Sequence, residues 1–320
     1  MSHDSAFDLV APELEQLEVM LRQRMHSDIG SIPAVGEHLL LAGGKRLRPL
    51  LAVLAARATD APIEIGLAVG CAAELIHTAT LYHDDVVDDG RVRRGRPAAR
   101  LVFGNGIVVL VGDFCLARAL ETVALTGSVS VVQSLAATVT EMAEGEVAQL
   151  ERAGNANATI ANYFDVIDRK TASLIAWAAR VGGAAPPALE ASLSRYGRAV
   201  GRAFQIADDI LDCAGSEAAV GKVVGHDLQE GKLTLPVLLA CDSDPTIRAR
   251  IQRDMTDTGM TADAAESVLT LVRRAGGVDA AKAKARGMID EAIADLDGLP
   301  ASRFRDALRD IAILSVERVS

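Results

Sequence analysis

Leu75-Ile76-His77-Thr78-Ala79-Thr80-Leu81-Tyr82-His83-Asp84-Asp85-Val86-Val87-Asp88 is an apolar, helix-favouring stretch that ends in three aspartates. The same spelling, DDxxD, returns far downstream as Asp208-Asp209-Ile210-Leu211-Asp212. Residues four apart share one face of a helix, so Asp84 lies beside Asp88 and Asp208 beside Asp212. Carboxylates clustered on an apolar helix repel one another and are costly to desolvate unless a cation neutralises them. All-oxygen ligand sets suit Mg2+, which keeps several waters and bridges to phosphates. Two such clusters facing each other would hold a diphosphate between them through metal ions.

Each cluster has a basic sequel. Arg91, then Arg93-Arg94-Gly95-Arg96-Pro97, follow the first. Guanidinium groups bind phosphate oxygens in a forked geometry. After the second come Gly221-Lys222, Gly225-His226-Asp227-Leu228 and Gly231-Lys232-Leu233-Thr234-Leu235-Pro236. Glycines beside lysines let a loop approach an anion closely. A third basic group, Lys45, Arg46 and Arg48, sits where a helix begins, a position that favours anions. His77 lies two turns before the first aspartates; a lone His on an apolar helix is by itself more often a satisfied core residue.

The surrounding chain reads as helix. It has 320 residues, 50% hydrophobic, 24% charged and only 3% aromatic. A composition led by Ala, Leu and Val favours helices over sandwiches or barrels. Leu14, Leu17, Met20 and Leu21 mark an amphipathic first helix, and Gly43-Gly44 reads as a stop before Pro49 enters the first turn of another. A long apolar segment runs from Leu50 to His83, interrupted near Thr59 to Pro62, and Gly90 to Pro97 reads as a basic loop. Helices are expected over roughly 98–103, 107–125, 129–150, 162–181, 189–211, 235–241, 245–254, 261–275 and 279–296, with one more at the C-terminus. Gly182-Gly183 and Gly276-Gly277 read as stops. No alternating strand pattern, repeat or linker appears, so one all-α domain is expected over residues 1–320.

A net charge of −10 argues against a nucleic-acid surface. The four cysteines, Cys71, Cys115, Cys213 and Cys241, form no CxxC pair and read as buried small hydrophobes. No basic-then-apolar leader opens the chain, and the longest uncharged apolar stretches stop short of a membrane span. A cytoplasmic location is the expectation.

Taken together, Gly44-Lys45-Arg46-x-Arg48-Pro49, His77, the first DDxxD, Arg93-Arg94-Gly95, Lys170-Thr171, Gln205 with the second DDxxD, Lys222 and Gly231-Lys232-x-Thr-x-Pro resemble, in order, the trans-isoprenyl diphosphate synthases. The match covers about residues 40 to 240, and the C-terminal eighty or so residues carry no recognisable motif. The resemblance implies the isoprenoid synthase fold, a single large helical bundle around a deep central cavity. It implies head-to-tail condensation of isopentenyl diphosphate with an allylic diphosphate, by ionisation, condensation and elimination. Asp84 and Asp88 would bind Mg2+ with Asp85 in support; Asp208 would bind a further ion, helped by Asp209 and Asp212, for three ions in all. Arg93, Lys170, Thr171, Gln205, Lys222 and Lys232 would hold the allylic diphosphate. Lys45, Arg48, His77 and Arg94 would hold isopentenyl diphosphate. A homodimer is typical of the family.

Small side chains at Ala79 and Thr80, where the family places aromatic floors in short-chain enzymes, imply a product longer than farnesyl. Ile76 and Ala73 or Ala72 lie further down the same helix. Ile76-His77-Thr78-Ala79-Thr80-Leu81 resembles the long-chain, octaprenyl-like branch. Tyr82 and Phe114 are aromatics that could close a cavity from other angles. The alternatives are a farnesyl or geranylgeranyl diphosphate synthase, or a non-catalytic subunit of a two-part synthase. A terpene cyclase would carry a different second metal motif and more aromatics, and a head-to-head enzyme a DxxxD spacing. So apolar a product implies release to a membrane or an acceptor enzyme, by transient contact.

Overall fold

The computed structural model describes residues 3–40, 44, 46–182, 186–214 and 225–317. Lys45 and Lys222, two of the expected diphosphate ligands, lie outside the described residues. The chain is built of helices: α1 (His3–Leu9), α2 (Ala11–Arg24), α3 (Ser31–Leu39), α4 (Leu47–Ala58), α5 (Ile63–Val87), α6 (Ala99–Phe103), α7 (Asn105–Ala124) and α8 (Val129–Arg152). Then follow α9 (Ile160–Ile167), a π-helical turn (Asp168–Ala172), α10 (Ser173–Gly182), α11 (Pro187–Ala214) and α12 (His226–Gln229). The last are α13 (Leu235–Ser243), α14 (Pro245–Asp254), α15 (Ala262–Arg274), α16 (Gly277–Asp295) and α17 (Arg303–Glu317).

The expected helices are present, most with ends within a few residues of the sequence reading. Three features escaped that reading. The basic loop is a small hairpin, β1 (Val92–Arg93) against β2 (Arg96–Pro97), turning through Arg94 and Gly95 at positive φ. The helix expected over 162–181 is broken by the π turn, and α12 interrupts the loop after the second cluster. Periodicity alone does not register such one-turn features, because they are made by tertiary packing.

The contacts gather in two compact units. The first comprises Met1–Val139, Leu174–Ser194 and Leu296–Asp310. Its central element is α5, packed against α2, α4 and α7. Leu50, Leu51, Leu54, Val69, Leu75 and Ile76 are fully buried there. Close approach of α7 needs Gly112, where a Cβ would stand 2.3 Å from the His83 ring. α5 is long and apolar enough to cross a membrane, yet most of it is buried inside the unit, and it carries Glu74, Asp84 and Asp85. Trp177 is buried and donates to the Ser134 hydroxyl at 2.9 Å.

The second unit comprises Thr140–Ser173, Arg195–Asp295 and Ile311–Ser320. Here α13 is the hub, its Leu235, Val237, Leu238 and Ala240 buried against α9, α14, α15 and α16. Residues 242–295 therefore have a physical task within this unit. Arg273 donates to the Cys213 carbonyl at 2.9 Å, and Met260 N donates to the Leu228 carbonyl at 3.1 Å. Both contacts brace the segments that flank the second aspartate cluster. Helix starts are capped locally: Thr159 and Asn162 form a reciprocal capping box on α9, and Thr261 caps α15.

Candidate active site

The first cluster sits at the C-terminal end of a 25-residue helix, with Asp88 as the cap residue. The last carbonyls of a helix carry partial negative charge and repel carboxylates. Asp84 and Asp88, both half-buried, add their charge to that end, which favours a cation there. Asp85 differs from them: it is 1% exposed and turned inward. Its Oδ1 accepts from Arg93 Nε at 2.9 Å and Nη2 at 2.6 Å, while its buried Oδ2 has no hydrogen-bond partner. Asp85 is a holder of Arg93 more than a further open carboxylate.

The basic residues of this unit form two kinds of contact. Arg94 Nη1 donates to the Leu39 carbonyl at 3.2 Å, and its guanidinium lies where a Cβ on Gly44 would meet it at 3.1 Å. Burial holds the Arg94 pKa below its ordinary value. His77 is half-buried. Burial, then Arg48, Arg94, Arg93 and Arg46, pushes its pKa well below the usual range, so its imidazole is neutral. Four arginines acting on one histidine raise the local positive potential, which favours an anion nearby.

Arg46, read from sequence as part of a basic group at a helix start, is a structural residue. It adopts φ +44 and is 7% exposed. It donates to Glu18 Oε1 at 2.6 Å, Glu74 Oε1 at 2.7 Å and the Leu40 carbonyl at 2.7 Å. Burial alone would lower its pKa, but the two glutamates outweigh it and hold the pKa raised. A lone Glu74 in the apolar run before His77 was the available sequence signal for this partner.

The residues tied to chain length divide. Ile76 and Ala79 are buried within the unit, whereas Thr80 is half-buried with its hydroxyl donating to the His77 carbonyl at 2.8 Å. Tyr82 is fully buried and donates to the Val35 carbonyl at 2.8 Å, which ties it to α3. Phe114 lies beneath the Arg118 guanidinium, 4.9 Å from it.

In the second unit Asp208 is exposed on α11 and Asp209 is 4% exposed. Asp209 accepts from Tyr163 Oη at 2.5 Å and from Gln205 Nε2 at 2.9 Å. Gln205 in turn accepts from Thr171 Oγ1 at 3.1 Å. The expected residues Thr171, Gln205 and Asp209 thus form one chain of hydrogen bonds, which Tyr163 completes; nothing in the sequence marked Tyr163. Burial pushes the Asp209 pKa up to about 7, with Asp208 and Asp212 adding to the rise against the two hydrogen bonds. Asp227, half-buried and unmarked by spacing, is pushed well above the carboxylate range by burial and by Asp209 and Asp212. Accumulated negative charge of this kind calls for a cation.

Asp212 has a second engagement. Its oxygens accept from the backbone N–H groups of His226 at 3.1 Å and Asp227 at 3.2 Å, so it caps α12 and ties the downstream loop to α11. Lys232 Nζ pairs with Glu230 at 2.7 Å, and the Lys232 backbone N–H donates to the Asp227 carbonyl at 2.7 Å. Lys170 pairs with Glu146 of α8. Among the described residues no group of three or more His, Cys, Asp or Glu side chains is placed to hold a metal by protein ligands alone. Mg2+ fits such a donor set, since it takes one or two carboxylates and completes its shell with phosphate and water.

Comparisons with known proteins agree in kind. The family model of the polyprenyl synthetases matches residues 31–272. The octaprenyl diphosphate synthase of Haemophilus influenzae is 38% identical over 99% of this chain and 98% of its own. Component 2 of the heptaprenyl diphosphate synthase of Geobacillus stearothermophilus is 37% identical over 98% of each chain. The crystal structure of a polyprenyl synthase from Caulobacter crescentus, complexed with calcium and isoprenyl diphosphate, superposes with a TM-score of 0.94 at 40% identity, over 100% of this chain and 98% of that one.

Proposed function

The chain belongs to the polyprenyl synthetase family, and on that premise we propose that Asp84, Asp88, Asp208 and Asp212 hold Mg2+ for diphosphate binding. The fold is the isoprenoid synthase fold, and the enzyme is a prenyltransferase that extends trans-prenyl chains beyond farnesyl. An allylic diphosphate ionises at its C–O bond, the isopentenyl double bond attacks the resulting cation, and the proton lost from the adduct passes to the departing diphosphate. Bound Mg2+ supplies Lewis-acid stabilisation of the charge gathering on the leaving diphosphate.

The protein's own groups divide the remaining work. Arg93, held by Asp85, together with Lys170, Thr171, Gln205, Lys222 and Lys232, grips the allylic diphosphate. Lys45, Arg48, Arg94 and neutral His77 grip isopentenyl diphosphate. A neutral imidazole donates one hydrogen bond without adding charge to an already cationic pocket. Positioning both substrates and withholding water from the cation supply the rest, and no side-chain base is assigned. Small Ala79 and Thr80, with Ile76 below them, leave room for a long product.

We further propose that the chain acts as one synthase domain, with three Mg2+ ions in the loaded site, as a cytoplasmic homodimer. Ile107, Leu110, Leu120, Leu125 and Val129 are exposed apolar side chains along α7 and the start of α8, which supports a face for a second copy. Transient contact with a membrane would accept the product. The observation that carries the reading is the pair of aspartate clusters, each near the end of a long helix, the first followed by a basic hairpin.

The test is product analysis. Purified protein is incubated with Mg2+, labelled isopentenyl diphosphate and dimethylallyl, geranyl or farnesyl diphosphate, and the dephosphorylated alcohols are resolved by length. A ladder ending beyond fifteen carbons is expected. No incorporation by the chain alone would favour a second reading, a subunit of a two-part synthase, which the likeness to a heptaprenyl component 2 brings into view.

A further inference from the structure

Lys170 and Thr171 do not sit on a regular helix. They lie in the π turn Asp168–Ala172 between α9 and α10. A π turn widens the backbone ladder and is less stable than the α-helix that could replace it, so something must hold it. Two contacts do so. From α11, Arg202 donates to both oxygens of Asp168, Nε to Oδ1 at 2.5 Å and Nη2 to Oδ2 at 2.6 Å. From α8, the tripeptide Glu144-Gly145-Glu146 sits directly on the turn.

The fit of that tripeptide is close. Glu144 pairs with Arg169 at 2.6 Å, and Glu146 pairs with Lys170. Between them, a Cβ on Gly145 would stand 2.7 Å from Arg169 Cβ and 2.8 Å from the Lys170 nitrogen. Glycine is a poor residue for the middle of a helix such as α8, and the near contact gives the physical reason for it. The backbone atom a side chain would strike belongs to Lys170 itself. Backbone cannot swing aside as a flexible side-chain end can.

We propose that Gly145, Arg202 and Asp168 are positioning residues for diphosphate recognition: they fix the π turn so that the Lys170 ammonium and the Thr171 hydroxyl meet the allylic diphosphate in register. Glu144 and Glu146 complete the saddle and hold the two cationic side chains of the turn before substrate arrives. None of these groups touches the reacting atoms. The inference rests on the reading of Lys170 and Thr171 as allylic-diphosphate ligands.

The experiment compares Gly145→Ala, Arg202→Gln, Arg202→Lys and Lys170→Ala by steady-state kinetics, with each substrate varied while the other is saturating. Melting temperature is measured alongside. A displacement of about 1 Å in a positioning element costs up to about 100-fold. Gly145→Ala and Arg202→Gln are expected to raise the allylic KM about tenfold or more, leaving the isopentenyl KM within about twofold, with Arg202→Lys intermediate. Should Gly145→Ala fail to fold, the two Arg202 variants carry the test. Unchanged allylic KM in folded variants, while Lys170→Ala raises it, would overturn the inference alone. Both KM values rising together with a lost melting transition would also overturn it, as a purely structural effect. No response to Lys170→Ala would sink the reading of Lys170 itself.

Discussion

Arg93 folds back onto Asp85, its Nε and Nη2 converging on a single carboxylate oxygen at 2.9 and 2.6 Å. The middle aspartate of the first motif therefore works as a brace that aims an arginine. Its neighbours Asp84 and Asp88 remain half-buried at the helix end. Burial and this pairing set Asp85 apart from Asp84 and Asp88, in line with the supporting place the sequence suggested for it.

This differentiation predicts an asymmetry in stability. Arg93→Ala strands a carboxylate that is 1% exposed, and breaking a buried pair in this way costs about 3–5 kcal/mol. Arg91, nearby and exposed, serves as control; Arg91→Ala is expected to cost under about 0.5 kcal/mol. Urea unfolding of the two variants checks it, and equal midpoints would refute the brace.

Arg46 predicts a separation of stability from binding. It joins Glu18, Glu74 and the Leu40 carbonyl within the first unit. Arg46→Ala is expected to destabilise by about 3–5 kcal/mol through the uncompensated, largely buried Glu74. Arg48→Ala is expected to melt near the parent and to weaken isopentenyl diphosphate binding. Calorimetry with each variant, free and with ligand, reads both effects.

The chain-length argument makes its own forecast. Ala79 is fully buried on α5, so a large ring there must either fill the elongation path or strain the packing against neighbouring helices. Ala79→Tyr is expected to shorten the product toward fifteen or twenty carbons at a stability cost of about 1–3 kcal/mol. An unchanged product ladder from a folded variant would show that growth is stopped elsewhere.

His77 predicts a pH dependence with a definite sign. Its folded-state pKa is pushed well below the ordinary value by burial and the surrounding arginines. In the unfolded chain it protonates near 6.5, so below that pH the unfolded state binds the extra proton. Stability conferred by the neutral ring is present above about pH 6.5 and is lost as pH falls, by up to about 1.4 kcal/mol per pH unit. His77→Gln removes this loss, and its urea midpoint should fall less than the parent's between about pH 7 and 5.5. A parallel decline in both proteins would contradict it.

The helices and the aspartate motifs are legible in the local pattern of the chain. Apolar residues at helical spacing placed α5, α7, α8 and α11 within a few residues of their ends, since local periodicity is written in neighbouring positions. The two DDxxD clusters with their basic sequels determined the family for the same reason: each motif is short and local. Tertiary structure alone decided the partners. Arg46 meets Glu74 across 28 residues of chain, Tyr163 meets Asp209 across 46, and Thr171 meets Gln205 across 34. No periodicity records such distant meetings. They are set by which helices pack together, and packing also decides whether a charged side chain binds substrate, braces another residue or caps a helix.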